Sequence, residues 1–202
     1  MIREADHEFS AVMLSKPVIA FLWLYLLIRG LQNPKDRVMR IELADELTPG
    51  LSPEKQRKRV TARLSDMLHG ELPKPLADRV VIEKDDSVRL DLTHCTIDLL
   101  RLQALAAECI GNEGLLAPAL AEEAARMLDA VQGEFLPGWD QLENEVTGGR
   151  GGAGELVRDL RQSVEAFRVD LLGALAANYL ARREPARAIT LLEQALERQP
   201  ER

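Results

Sequence analysis

Hydrophobic positions follow one period over most of the chain and a second over a short central stretch. The run Val18-Ile-Ala-Phe-Leu-Trp-Leu-Tyr-Leu-Leu-Ile28 has no polar break, yet it falls well short of the ~20 residues that a membrane-spanning helix needs. It predicts a helix buried on nearly all sides, opened by Pro17, whose fixed φ suits a first turn, and closed by Gly30 just past its end. The preceding Arg3, Glu4, Asp6, Glu8 and Lys16 form no basic n-region and no small-residue cleavage site follows, so a signal peptide is not expected. Val38, Ile41, Leu43, Ala44 and Leu47 then fall at helical spacing, and Thr48-Pro-Gly50 ends that segment. A third helix starts with Ser52 as N-cap, Pro53 in the first turn and Glu54 behind it, and runs to His69-Gly70. Its Val60, Leu64, Met67 and Leu68 share one face and should meet a core. At about 100° per residue, Lys55, Lys58, Arg59 and Ala62 project from the other side, with Thr61 and Arg63 on the flanks.

The period changes after Pro73-Lys-Pro75. Arg79–Glu83 and Ser87–Leu92 are β-rich, and Lys84-Asp85-Asp86 between them reads as a hairpin turn. Three helices followed by a hairpin is the winged-helix pattern. From Asp98 the helical period returns over Asp98–Glu108 and Ala117–Val131, followed by Phe135-Leu-Pro-Gly-Trp139, a turn anchored by aromatic bulk. Gly148-Gly-Arg-Gly-Gly-Ala-Gly154 predicts a flexible, mobile loop. A long helix from Glu155 toward Arg183 follows, and Pro185 starts the last one. In that final pair Leu172, Leu175, Ala176, Tyr179, Ala188, Leu192, Ala195 and Pro200 lie at tetratricopeptide (TPR) spacing, with Ala176 and Ala188 where two helices must approach closely. The expected fold is mostly α with a small β-hairpin: a winged helix-turn-helix domain over 1–97, then an α-helical TPR-like domain over 98–202.

Composition supports a helical globular chain. Of 202 residues, 46% are hydrophobic, 29% charged and only 4% aromatic, which excludes disordered, collagen-like and disulfide-scaffold classes. The net charge of −7 argues against nucleic acid as a partner. That average hides a division, because residues 29–79 carry 11 basic and 8 acidic side chains. Cys95 and Cys109 have neither metal-ligand nor disulfide-framework spacing and are expected as idle thiols in a reducing cytoplasm. His7, His69 and His94 are scattered, and His69 suits a helix C-terminus. The acidic pairs Asp45/Glu46, Asp85/Asp86 and Glu122/Glu123 fall on expected surfaces, and no GxSxG, P-loop or GxGxxG is present. No enzymatic activity, cofactor or metal is expected.

The order of the Pro17–Arg29 helix, Arg40-Ile-Glu-Leu-Ala-Asp-Glu-Leu47, the basic helix Glu54–Leu68, a hairpin ending Val88-Arg-Leu-Asp91 and then Ile97–Leu102 resembles the DNA-binding end of SARP-type bacterial transcriptional activators. Gly133-Glu-Phe-Leu-Pro-Gly138 and the repeat-bearing helices resemble the bacterial transcriptional activator (BTAD) region that follows in those proteins. The resemblance implies that the third helix enters the major groove of promoter DNA through the Lys55–Arg63 face, Thr61 and Ala62 included. It further implies that Arg37 and Arg40 meet phosphates, and that a wing carrying Lys84, Ser87 and Arg89 touches the adjacent backbone or minor groove. RNA polymerase or a second protomer, making a homodimer, is the expected protein partner.

The chain departs from the family pattern in three places. Asp85 and Asp86 sit beside Lys84 at the wing tip, where like charge should weaken a phosphate contact. The N-terminal sheet is reduced to a stretch within His7–Leu14. One clear repeat is fewer than the about three that a solenoid needs, so further repeats beyond Arg202 or a covering partner are expected. The alternative expectation is a protein-interaction module whose winged helix no longer binds DNA and whose TPR-like helices form the binding surface.

Overall fold

The structure is a computed structural model, described over residues 2–4, 7–9, 16–33, 35–93, 95–111, 114–131 and 133–199. Helices dominate it, with short strands that include a small three-stranded antiparallel sheet. The uninterrupted apolar run lies within α1 (Pro17–Gln32), where every residue from Ile19 to Ile28 is buried. Gly30 does not end this helix as its spacing suggests but lies inside it. A Cβ there would come within 3.1 Å of the Leu92 side chain, so glycine lets that leucine pack against the helix backbone. Before α1, β1 (Ile2–Glu4) and β2 (His7–Phe9) pair antiparallel, so the N-terminal strands begin earlier than the expected His7–Leu14.

The chain divides into two compact units, residues 2–95 with 138–158, and residues 96–137 with 159–202. The first holds β3 (Val38–Met39), α2 (Arg40–Leu47), α3 (Pro53–Asp66), a π-helical turn at Met67–Glu71, α4 (Lys74–Ala77), β4 (Val80–Ile82) and β5 (Ser87–Leu90). The sheet order is β3-β5-β4, with Val38 opposite Val88 and Val80 opposite Leu90. Val38 therefore serves the sheet rather than a helix, and Ile41 is left 50% exposed. Val60, Leu64 and Met67 are buried as expected, whereas Leu68 is half-buried in the π-helical turn. Ser52 occupies the N-cap of α3 but makes no side-chain cap hydrogen bond.

The boundary expected at residue 97 does not describe this unit fully. α7 (Trp139–Thr147) packs against α1, and the buried Trp139 indole stacks on Phe21 with ring centroids 5.2 Å apart. Nor is the glycine-rich segment a free linker. Gly148 closes α7 in the left-handed region (φ 66°) and donates its N–H to Asn144 O at 2.9 Å. The Glu46 carboxylate accepts from Gly152 N–H (2.8 Å) and Ala153 N–H (3.2 Å), and Glu143 accepts from Gly154 N–H (2.9 Å). These amides open α8 (Ala153–Ala181), where free N–H groups and the helix dipole favour carboxylates. A Cβ on Gly154 would sit 2.6 Å from Glu143 Oε2, so glycine is what admits the carboxylate.

In the second unit, β6 (Thr96–Ile97) leads into α5 (Asp98–Gly111), followed by α6 (Pro118–Ala130), the rest of α8, and α9 (Pro185–Arg198). Leu102, Leu105, Cys109, Ala124, Leu171 and Leu175 form its core, where burial pushes the Cys109 thiol above its ordinary pKa. Two arginines seven residues apart on α8 hold the segment before Pro137. Arg161 donates to the carbonyls of Phe135 and Leu136 at 3.0 Å each, and Arg168, 1% exposed, donates to Gly133 O at 2.7 Å and pairs with Glu165. Leu172, Leu175, Ala176, Ala188 and Ala195 are buried, and Tyr179 is half-buried beneath Arg187, whose guanidinium lies 5.5 Å from the ring centroid. Leu192 is a correction, being 41% exposed while Leu191 packs against the core. Ala188 and Ala195 set the inner face of α9, Leu191 and Leu192 lie about 50° to either side of it, and the packing of the unit takes Leu191. Pro200 lies outside the described residues. Among the described residues no helix is long and apolar enough to cross a membrane.

Candidate nucleic-acid interface

α3 is amphipathic, with Gln56, Val60 and Leu64 buried and Lys55, Lys58, Arg59, Thr61, Ala62 and Arg63 all exposed. Its angle to α2 is fixed by Gln56, a polar residue one turn before Val60 on the buried face. The Gln56 amide donates to Asp45 Oδ1 at 3.0 Å and to Thr48 O at 3.2 Å, tying α3 to α2 and the turn between them. Along the outer face Lys58 pairs with Glu54 (2.9 Å) and Arg63 with Asp66 (3.3 Å), whereas Lys55 and Arg59 form no ion pair among the described residues. Exposed pairs of this kind contribute about 0.3–0.5 kcal/mol and yield readily to a competing anion.

The β4–β5 hairpin flanks α3 and is closed by the expected Lys84-Asp85-Asp86 turn. Asp86 N–H donates to Glu83 O (3.3 Å), Glu83 N–H donates to Ser87 O (2.9 Å), and Asp86 takes a left-handed φ of 66°. A three-residue hairpin loop places its last residue in that region. Asp85 organises the turn, accepting from the Ser87 hydroxyl at 2.6 Å and from Ser87 N–H at 3.2 Å. Ser87 is thus buried beneath the tip and unavailable to a ligand, and Arg89 is engaged by Glu83 at 3.1 Å. Lys84 alone of the three expected wing residues is exposed without an ion pair among the described residues.

The tip also holds Arg37 and Arg40, the two arginines expected at phosphates, and Arg57 with them. Arg40 Nε lies 3.1 Å from Asp86 Oδ1, Arg57 Nη2 lies 3.5 Å from Asp86 Oδ2, and Arg37 Nη1 lies 3.6 Å from Asp85 Oδ2. Arg40 also donates its backbone N–H to Asp86 O at 3.2 Å, and its side chain is only 20% exposed. It braces the hairpin against α2 instead of facing outward. Arg57 is missing from the outer-face set although it lies about 60° from Val60, as the flanking Arg63 does on the other side; the position of the tip is what gives it a role.

The Ser87 hydroxyl and N–H bonds, with Arg37 beyond them, hold the Asp85 carboxyl below the usual carboxylate range. A depressed folded pKa means that the turn is favoured above the unfolded value of about 3.9 and loses that support as pH falls through the lower folded value. Amide resonances of Asp86 and Ser87 should accordingly shift together below about pH 4, ahead of global unfolding. Shifts that track the global transition instead would remove Asp85 from this role.

On the opposite flank of α3, a groove of about 360 Å³ lies between the α2–α3 turn and the end of α7, with Arg59 on one wall and Arg150 on the other. An adjoining groove of about 430 Å³ is lined by Ala62, Arg63 and Val146. Sequence spacing could not associate Arg150 with α3, because the Gly148–Gly154 segment carries no periodicity. Among the described residues no group of three or more His, Cys, Asp or Glu side chains is placed to hold a metal ion. Compared with protein-family models, curated proteins and solved structures, the chain matches none.

Proposed function

We propose that the chain is a cytoplasmic DNA-binding transcriptional regulator of the activator type, not an enzyme. In this reading its first unit is a winged helix-turn-helix that docks α3 in the major groove of promoter DNA, and its second is a TPR-like region similar to BTAD. The observation that carries it is the outer face of α3, where Lys55, Lys58 and Arg59 are exposed around the short side chains of Thr61 and Ala62, next to a β-hairpin. Cationic side chains meet phosphates, and short ones allow the helix to approach base edges. Because the tip is acidic, a lone protomer binds weakly, and a second protomer or RNA polymerase completes the grip.

Gel retardation of duplex DNA tests this. Lys55→Ala and Lys58→Ala should each lower the log–log salt slope by about 0.9. No retardation at low salt over several duplexes would overturn the reading. One observation favours a second reading, a protein-interaction module: Ile189, Leu192 and Leu196 form an exposed apolar stripe on α9. Under that reading the α3 substitutions leave partner binding unchanged.

A further inference from the structure

We propose that Arg150, from the loop after α7, joins Arg59 to grip the duplex backbone on the flank of α3 opposite the hairpin. This rests on the DNA-binding reading and adds to it a phosphate contact contributed by a residue 84 positions beyond the end of α3 in the sequence.

Three observations converge on it. First, the two flanks of α3 differ in charge state. Measured from the buried Val60, Arg57 lies about 60° to one side and Arg59 about 100° to the other, so the outward face runs between them. On the Arg57 side, Arg37, Arg40 and Arg57 stand against the carboxylates of Asp85 and Asp86, whose negative charge offsets theirs and repels phosphate. On the other side, Arg59 and Arg150 face one groove, both are exposed, and neither forms an ion pair among the described residues.

Second, the loop carrying Arg150 is held in place. Gly151 N–H donates to Thr147 Oγ1 (3.3 Å), Thr147 Oγ1–H donates to Glu143 O (2.8 Å), and Gly152 N–H donates to Glu46 on α2 (2.8 Å). The Glu46 carboxylate is occupied by these amides, two residues from Arg150. A guanidinium anchored this way loses less conformational freedom on binding than one on a free linker. Third, Gly148 and Gly149, both at positive φ (66° and 72°), precede Arg150 without side chains, leaving room for a strand beside it.

A helix in the major groove has a phosphate strand on each side. Here one strand would meet an acidic tip and the other a pair of arginines, whose planar forks match phosphate oxygens. The protein would therefore hold one strand tightly and merely skirt the other.

Full-length protein, a short duplex and a salt titration test this. Arg150→Gln should weaken binding on the order of tenfold and lower the salt slope by about 0.9, while Arg150→Lys should keep the slope. Arg158→Gln removes an exposed charge from α8 in the same unit, outside the groove, and should change neither. Arg150→Gln binding like the wild type, while Lys58→Ala weakens it, would overturn this inference and leave the DNA reading standing. An equal loss in Arg158→Gln would show general charge attraction and overturn it too. Inorganic phosphate that displaces the duplex at matched ionic strength would make the groove a small-anion site, with the same consequence. A wild-type protein that retards no duplex would overturn both.

Discussion

Asp86→Asn should tighten duplex binding on the order of tenfold at about 0.1 M salt and steepen the log–log salt slope by about 0.9, the value of one added phosphate contact. Asparagine tolerates the left-handed backbone that Asp86 occupies (φ 66°), so the turn survives the change. What disappears is the carboxylate that pairs with Arg57 and Arg40. Arg57 is 73% exposed at its side chain and becomes available to a phosphate, whereas Arg40, half-buried under the tip, does not. One contact is therefore expected and not two. Asp85→Asn should gain less, because it also weakens the hydrogen bonds to Ser87 that shape the turn. An unchanged slope in Asp86→Asn would mean that the hairpin faces away from the duplex.

Trp139→Ala should destabilise the first unit by about 3–5 kcal/mol, the usual range for removing a large buried aromatic side chain. The indole is 2% exposed and stacks on Phe21 in the second turn of α1, so its loss opens a cavity in that helix's packing. Urea denaturation followed by circular dichroism would measure the change in midpoint. A chain ended after residue 97 removes the same contact together with all of α7, and should be less stable still. A midpoint unaffected by Trp139→Ala would detach α7 from the unit.

Much of the local structure was legible from short-range rules. The apolar run specified a helix buried all round, because eleven apolar residues leave no face for water. Lys84-Asp85-Asp86 was readable as a turn because flanking β-rich strands and polar turn residues coincide there. The long α8, expected over about 155–183, spans Ala153–Ala181 for the same reason of sustained periodicity. Errors fell where two structures fit one pattern. Val38 satisfies helical spacing with Ile41 but pairs with Val88, and the choice between Leu191 and Leu192 turns on a single helical step.

The candidate interface was legible only as a set of charges. That α3 carries a basic outer face follows from helical geometry, and the sequence by itself determined it. Which of those cations are free was decided by tertiary structure alone. Arg40 and Asp86 are 46 positions apart, and Glu46 and Gly152 are 106 apart. A side chain's counter-ion depends on where other elements end up, and no local pattern encodes a pairing across that span. The fold thus turned an acidic tip, a defect in the sequence pattern, into the partner of three arginines, and it brought a glycine-rich loop beside α3 because Glu46 had carboxylate oxygens to satisfy the first amides of α8.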